Sequence, residues 1–251
     1  MTPIRGLLAW LALGAGLGWA DEFRIQNRVY VGKASAPSAV TVTLFARGLV
    51  YDVLSGPDEI VVFHPTGGRF VLLKPARKIR TEISTDQVNR MVETLQAELK
   101  NRGSGLSEFL AAPKFEIDDS DSSDAKFTGD FAEYRVKTTR AASLIAARQY
   151  AEFADWYTRL NTMNNPALLA RVPVNAWLTK REQVPTEIEA TFYNKTFGFA
   201  RKQQSLRSEH VITWFLSQDD RKQIEQIDGW LVTFEKVEFE QYRNTPAFAA
   251  P

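Results

Sequence analysis

Ile60-Val61-Val62-Phe63-His64 and Arg69-Phe70-Val71-Leu72-Leu73-Lys74, joined by Pro65-Thr66-Gly67-Gly68, decide the fold. Each run is short, β-branched or aromatic, and bounded by turn chemistry, so each reads as a strand. Both runs are apolar at successive positions, and successive side chains on a strand point to opposite faces. Neither face of this hairpin can therefore lie open to water cheaply: burying one Phe or Leu side chain is worth about 1.5–3 kcal/mol. Something apolar must cover both sides. The candidates are the chain's own helices, a second protein surface, or an acyl-type ligand, since pockets and cores share one composition.

Outward from this pair, strands recur at intervals too short for crossover helices, which makes the pairing antiparallel. Phe23, Ile25, Val29 and Val31 alternate with Arg24, Gln26, Arg28 and Tyr30. Val40 to Ala46, Leu49 to Leu54, Glu59 to His64, Arg69 to Lys74 and Lys78 to Ile83 follow, divided by Gly48, by Ser55-Gly56-Pro57-Asp58 and by Pro75-Ala76. Ser84 or Thr85 then supplies a helix N-cap, after which Val88, Met91, Val92, Leu95 and Leu99 form one apolar stripe ending near Gly103. A short helix is expected over Leu106 to Ala111, and short strands over Lys114 to Ile117, Ala125 to Thr128 and Glu133 to Thr138. The longest helix is expected over Ala141 to Asn161, with Ala146, Tyr150, Phe153, Ala154, Tyr157 and Leu160 on one face. Asn164-Asn165-Pro166 interrupts it before further helix at Ala167 to Ala170 and Val174 to Leu178. Strands at Thr186 to Tyr193 and Ser208 to Ser217, a helix at Asp219 to Ile227 and a last strand at Trp230 to Phe239 complete the pattern. Val211-Ile212-Thr213-Trp214-Phe215-Leu216 is a third run apolar on both faces. The fold class is α+β: a curved antiparallel sheet, a half-barrel, covered by helices on its concave side.

The chain opens with one basic residue, Arg5, and Gly6 to Trp19 carries no charge, a secretory leader in form and too short for the roughly 20 residues of a spanning helix. Small residues Gly18 and Ala20 place cleavage after Ala20, with an uncleaved anchor as the alternative. The expected organisation is a signal peptide over 1–20, one domain over 21–244 and a loose tail over 245–251, in a periplasmic or secreted protein that is not integral to the membrane once the leader is removed. The 251 residues hold 31 Lys and Arg against 30 Asp and Glu, a balance that argues against a nucleic-acid partner. The absence of cysteine removes thiolate chemistry, disulfides and zinc ribbons, and two histidines, His64 and His210, are too few for a multi-histidine metal site. No nucleophile elbow, metalloprotease helix or phosphate-binding glycine loop is present, so no cofactor, no metal and no catalytic residue is assigned.

Asp58-Glu59-Ile60-Val61-Val62-Phe63, then Phe70-Val71-Leu72-Leu73-Lys74-Pro75 with Ile79-Arg80-Thr81, resembles the strand order of the LolA-like periplasmic lipoprotein-carrier superfamily. The resemblance spans most of residues 22–140 and implies a half-barrel whose helices close over an apolar cavity. An Arg-Pro element on an early strand is part of that pattern, and Gly48-Leu49-Val50-Tyr51-Asp52-Val53-Leu54 lacks both residues. The expected function is non-enzymatic binding of a lipid or lipoprotein acyl chain. The alternatives are an envelope module whose partner is another protein and a hydrolase built on His64. Cavity-lining candidates are Phe45, Tyr51, Phe63, Phe70 and Leu72 from the strands, with Phe153 and Tyr157 closing from the long helix; a one-residue register shift would exchange the strand set. The run Asp118, Asp119, Asp121 and Asp124 carries calcium-type oxygens without the glycine and distal Glu of an EF-hand loop, which fits a solvated loop. Lys74, Arg77, Lys78 and Arg80 form a basic cluster that could meet anionic lipid, although alternation splits it over two faces.

Overall fold

The computed structural model describes residues 21–54, 59–196 and 199–245. The leader with its cleavage point, the Ser55–Asp58 turn and the tail beyond Thr245 lie outside the described residues. One curved, unclosed sheet of twelve strands organises the chain: β1 (Phe23–Val31), β2 (Ala39–Ala46), β3 (Leu49–Leu54), β4 (Ile60–His64), β5 (Arg69–Lys74), β6 (Ile79–Ser84), β7 (Glu116–Asp118), β8 (Asp124–Thr128), β9 (Ala132–Arg140), β10 (Gln183–Thr196), β11 (Phe199–Thr213) and β12 (Glu235–Lys236). Their spatial order is β12-β6-β5-β4-β3-β2-β1-β11-β10-β9-β8-β7. Every pairing is antiparallel except that of β12 with β6. The β2–β3 turn needs left-handed backbone at both central residues, Arg47 (φ 52°) and Gly48 (φ 75°). That is the primed turn whose twist matches its flanking strands.

Four helices lie on one face, called inner below: α1 (Thr85–Asn101), α2 (Gly105–Ala111), α3 (Leu144–Asn161) and α4 (Val172–Arg181), with a 3-10 turn over Pro166–Arg171 leading into α4. Ser84 starts α1 with a capping box, its Oγ accepting from the Gln87 amide at 3.1 Å while its own amide donates to Gln87 Oε1 at 3.0 Å. Ser143 does the same work for α3, accepting from the Ala146 amide at 3.0 Å.

Two expectations need correction. Helices do not gather on one side alone, because α5 (Gln218–Thr233) packs on the outer face, where Ile224, Ile227 and Phe234 meet Leu44, Tyr51, Val62, Val71 and Leu73. This cover is what permits β4 and β5 to be apolar on both sides. The expected last strand over Trp230 to Phe239 is instead the end of α5, the two-residue β12 and α6 (Phe239–Asn244). Trp230 and Phe234 stack one turn apart at 5.4 Å, and packing of the outer-face stripe outweighs the roughly 1 kcal/mol that Gly229 costs inside a helix.

Beyond α5 the outer face changes character. Over β8 to β11 it carries ion pairs, Lys137 with Glu187 at 2.7 Å and Lys126 with Glu133 at 3.2 Å, and Tyr30 donates to Glu209 at 2.9 Å. No helix among the described residues is long and apolar enough to cross a membrane.

Candidate functional site

The inner face divides into three zones. The first is the aromatic end over β1 to β5. Register aligns Phe23 with Phe45, Phe45 with Val50, Val50 with Phe63 and Phe63 with Phe70, so one row of side chains points at α3. Phe23 stacks on Phe45 at 4.0 Å and Phe63 on Phe70 at 4.6 Å. From α3, Phe153 meets Phe45 edge-on at 5.9 Å and Tyr157 lies 5.0 Å from Phe153. Six of the seven expected lining residues, Phe45, Phe63, Phe70, Leu72, Phe153 and Tyr157, thus belong to one packed cluster. Tyr51 does not join them. Its neighbour Val50 takes the inner position opposite Phe45, so Tyr51 stands on the outer face under α5 and donates to Asp228 at 2.8 Å.

The second zone is a buried polar seam. Asn27 donates to the Thr41 and Thr43 hydroxyls at 2.9 and 3.1 Å, Thr43 donates to Asp52 at 2.6 Å, and the Tyr157 hydroxyl donates to the same carboxylate. Burial pushes the Asp52 carboxyl above its ordinary pKa, opposed by these hydroxyl donors. The seam reaches α6 through Glu59, which accepts from Tyr242 at 3.1 Å, and through Lys74, whose ammonium donates to the Tyr242 carbonyl at 2.6 Å. A cleft of about 260 Å³ lies here, lined by Glu59, Lys74, Asn161, Asn164 and Tyr242. Glu59 and Lys74 already bond to Tyr242 and fasten α6.

The third zone is open and apolar. A cleft of about 180 Å³ lies between the inner faces of β1, β9, β10 and β11 and the Pro166–Arg171 turn. Val29, Ile188, Ala190, Phe192 and Leu206 form its floor, and Leu168 and Arg171 overhang it. Arg171 donates through Nε to Asn175 Oδ1 at 2.8 Å. Asn175 is itself fixed, donating to the Ala154 carbonyl at 3.1 Å and to Thr158 at 3.0 Å. Ser208, in the floor, lies 3.0 Å from His210 Nε2, while Nδ1 of that ring is buried without a partner. Burial and the nearby Arg171 push the His210 pKa down to about 3. The ring is therefore neutral at ordinary pH and a weak base for the Ser208 hydroxyl.

The other residues singled out by sequence sit elsewhere. His64 ends β4 on the outer face, its Nε2 buried without a partner, and is lowered in pKa by burial and by Arg69. In the acidic loop, Asp121 accepts from the Ser123 amide at 2.8 Å, and Asp119 accepts from Trp177 Nε1 at 3.0 Å and from Arg181. These carboxylates cap their own turn and tie it to α4. The basic cluster is split: Lys74 is buried under α6, while Arg80 pairs with Glu82 at 2.8 Å.

Arg171 was not singled out in advance. Its signal was present, a lone charge within Pro166 to Trp177, an otherwise uncharged and mostly apolar run. No protein-family model matches the chain, and no curated protein matches it. Among solved structures, a porin-like protein from Bacteroides uniformis is similar at 9% identity over 78% of this chain and 98% of that one, with a TM-score of 0.22. So slight an overlap carries no argument about fold or function.

Proposed function

We propose that this is an exported, non-enzymatic, LolA-like binding protein that holds an apolar group, a lipid or a lipoprotein acyl chain, against the inner face of its half-barrel. The observation that carries the reading is the cleft floored by Val29, Ile188, Ala190, Phe192 and Leu206, an apolar concavity roofed by the Pro166–Arg171 turn. Most small-molecule sites are concave and lined by apolar side chains with a few convergent polar groups, and this cleft has both. The leader over residues 1–20 and the resemblance of the β4–β6 segment support export and the carrier-like architecture. The aromatic end is the wall that stiffens the site; its rings already occupy the space between sheet and α3. The test is to purify the protein under native conditions, extract it with organic solvent and analyse the extract by mass spectrometry, alongside displacement of an apolar fluorescent probe. A stoichiometric lipid or saturable probe binding is expected. A clean extract together with no probe binding overturns the proposal.

A second reading, an envelope module that binds another protein, draws on Val211 and Phe215, which are 47% and 65% exposed at the end of β11. Light scattering and cross-linking discriminate between the two. A monomer that captures no envelope protein leaves this reading without support.

A further inference from the structure

We propose that Arg171 makes the apolar cleft a receptor for the anionic headgroup of a single-chain amphiphile, whose hydrocarbon lies along Val29, Ile188, Ala190, Phe192 and Leu206. The inference rests on the apolar-guest reading above and names the guest's chemistry.

The argument starts from an unbalanced charge. Arg171 is half-buried at the rim of the cleft, and partial withdrawal of an ion from water favours a partner of opposite charge. Arg171 makes one hydrogen bond, from Nε to the neutral Asn175, and among the described residues no carboxylate pairs with it. The titratable groups that face it are Tyr134 on β9, Tyr150 on α3 and His210 on β11. Burial raises the pKa of both tyrosines and lowers that of His210, so all three are neutral at physiological pH. Of the acidic residues on the surrounding elements, Glu152 and Glu189 are exposed, and others are paired elsewhere. Glu187 and Glu209 hold Lys137 and Arg207 on the outer face, and Asp155 holds Arg159 along α3 at 2.9 Å. Among the described residues, the guanidinium is oriented by Asn175 and its two terminal nitrogens have no hydrogen-bond partner, at the rim of an oily cleft.

A guanidinium of this kind matches carboxylate or phosphate oxygens two at a time. Val29, Ile188, Ala190, Phe192 and Leu206, by contrast, offer a guest only methyl, methylene and ring surface. The two together select a molecule that is anionic at one end and apolar at the other. A cleft of about 180 Å³ is small for a two-chain lipid body and suits a single chain. Affinity should then rise about fourfold per added methylene until the cleft is full, and level off beyond.

The experiment is isothermal titration of the delipidated protein with decanoate, decyl phosphate and decanol, repeated with hexanoate and octanoate and with the Arg171→Leu variant. Decanoate or decyl phosphate is expected to bind at least tenfold more tightly than decanol, and Arg171→Leu to erase that preference. Stronger binding of decanoate assigns a fatty carboxylate, and stronger binding of decyl phosphate a lipid phosphate. Equal binding of decanol and both anions overturns the headgroup proposal and leaves the apolar-guest reading standing. Binding of none of the three overturns both. The comparison of anion with alcohol on the unmodified protein decides the matter even if Arg171→Leu fails to fold.

Discussion

The two ends of the inner face are built on the same sheet and differ in what fills them. Over β1 to β5, rings from adjacent strands stack at 4.0 and 4.6 Å and α3 drives Phe153 between them. Over β9 to β11, the floor residues are mostly smaller, Ile188, Ala190 and Leu206 among them, and a 3-10 turn roofs them in place of a bulky helix stripe. A sheet face is thus filled or left open according to the side-chain volume facing it, with pleat and register unchanged. The aromatic end has its outer face buried as well, under α5, whereas the cleft end is backed by a solvated lattice of ion pairs. Rigidity is concentrated at one end and open volume at the other.

That contrast can be broken most forcefully at Phe153. Phe153→Ala should cost about 3–5 kcal/mol in urea unfolding, since it leaves a cavity between three rings. Probe binding at the cleft should persist in conditions where the variant is folded. Loss of binding with little loss of stability would place the guest at the aromatic end instead.

Adding volume sharpens the same comparison. Ala146→Leu, in the filled end, should destabilise by about 1–3 kcal/mol, the usual cost of overpacking. Ala190→Leu, in the cleft, should cost clearly less and abolish probe binding. Thermal melts and probe titrations of the two variants check both statements.

The seam between the ends offers a third test. Asp52→Ala strands the Thr43 and Tyr157 hydroxyls and should cost about 1–3 kcal/mol. Asp52→Asn keeps an acceptor, removes a buried charge and should lie within about 1 kcal/mol of the parent at neutral pH. Equal losses in the two variants would mean that the carboxylate charge, and not acceptance of hydroxyl protons, holds the seam.

A further effect is expected with pH. His210 has its folded pKa pushed down to about 3, below the ordinary value of 6.5, so the unfolded chain takes up the proton first as pH falls. Stability from this group is complete above pH 6.5 and declines below it, by at most about 1.4 kcal/mol per pH unit. The raised pKa of Asp52 acts in the opposite sense, because the folded state takes up that proton more readily than the unfolded chain. His210→Gln should therefore flatten the fall in urea midpoint between pH 7 and pH 5, and Asp52→Asn should steepen whatever fall the carboxyl had masked.

The meander was legible because its signals are local. Expected strands such as Arg69 to Lys74 and Leu49 to Leu54 match the observed bounds, as alternation and turn residues act within a few positions. The end of α5 was misread because Trp230, Val232, Thr233 and Phe234 favour strands, and the stripe that makes them helical is recognised only once the outer face exists to receive it. Tyr51 was assigned the wrong face for a similar reason, since parity across the β2–β3 turn depends on its two-residue geometry. The choice of lining residues favoured large rings, yet large rings fill space and small aliphatic residues leave it. Arg171 stood out only as a charge within an uncharged run. That no carboxylate among the described residues pairs with it is a fact of tertiary packing, which no spacing in the chain encodes.

The most direct measurement is titration of the delipidated protein with an apolar fluorescent probe, in parallel with Ala190→Leu and Ala146→Leu. The account requires saturable binding at one site, lost in Ala190→Leu and kept in Ala146→Leu. Binding that survives Ala190→Leu, or that is absent from the parent protein, would contradict it.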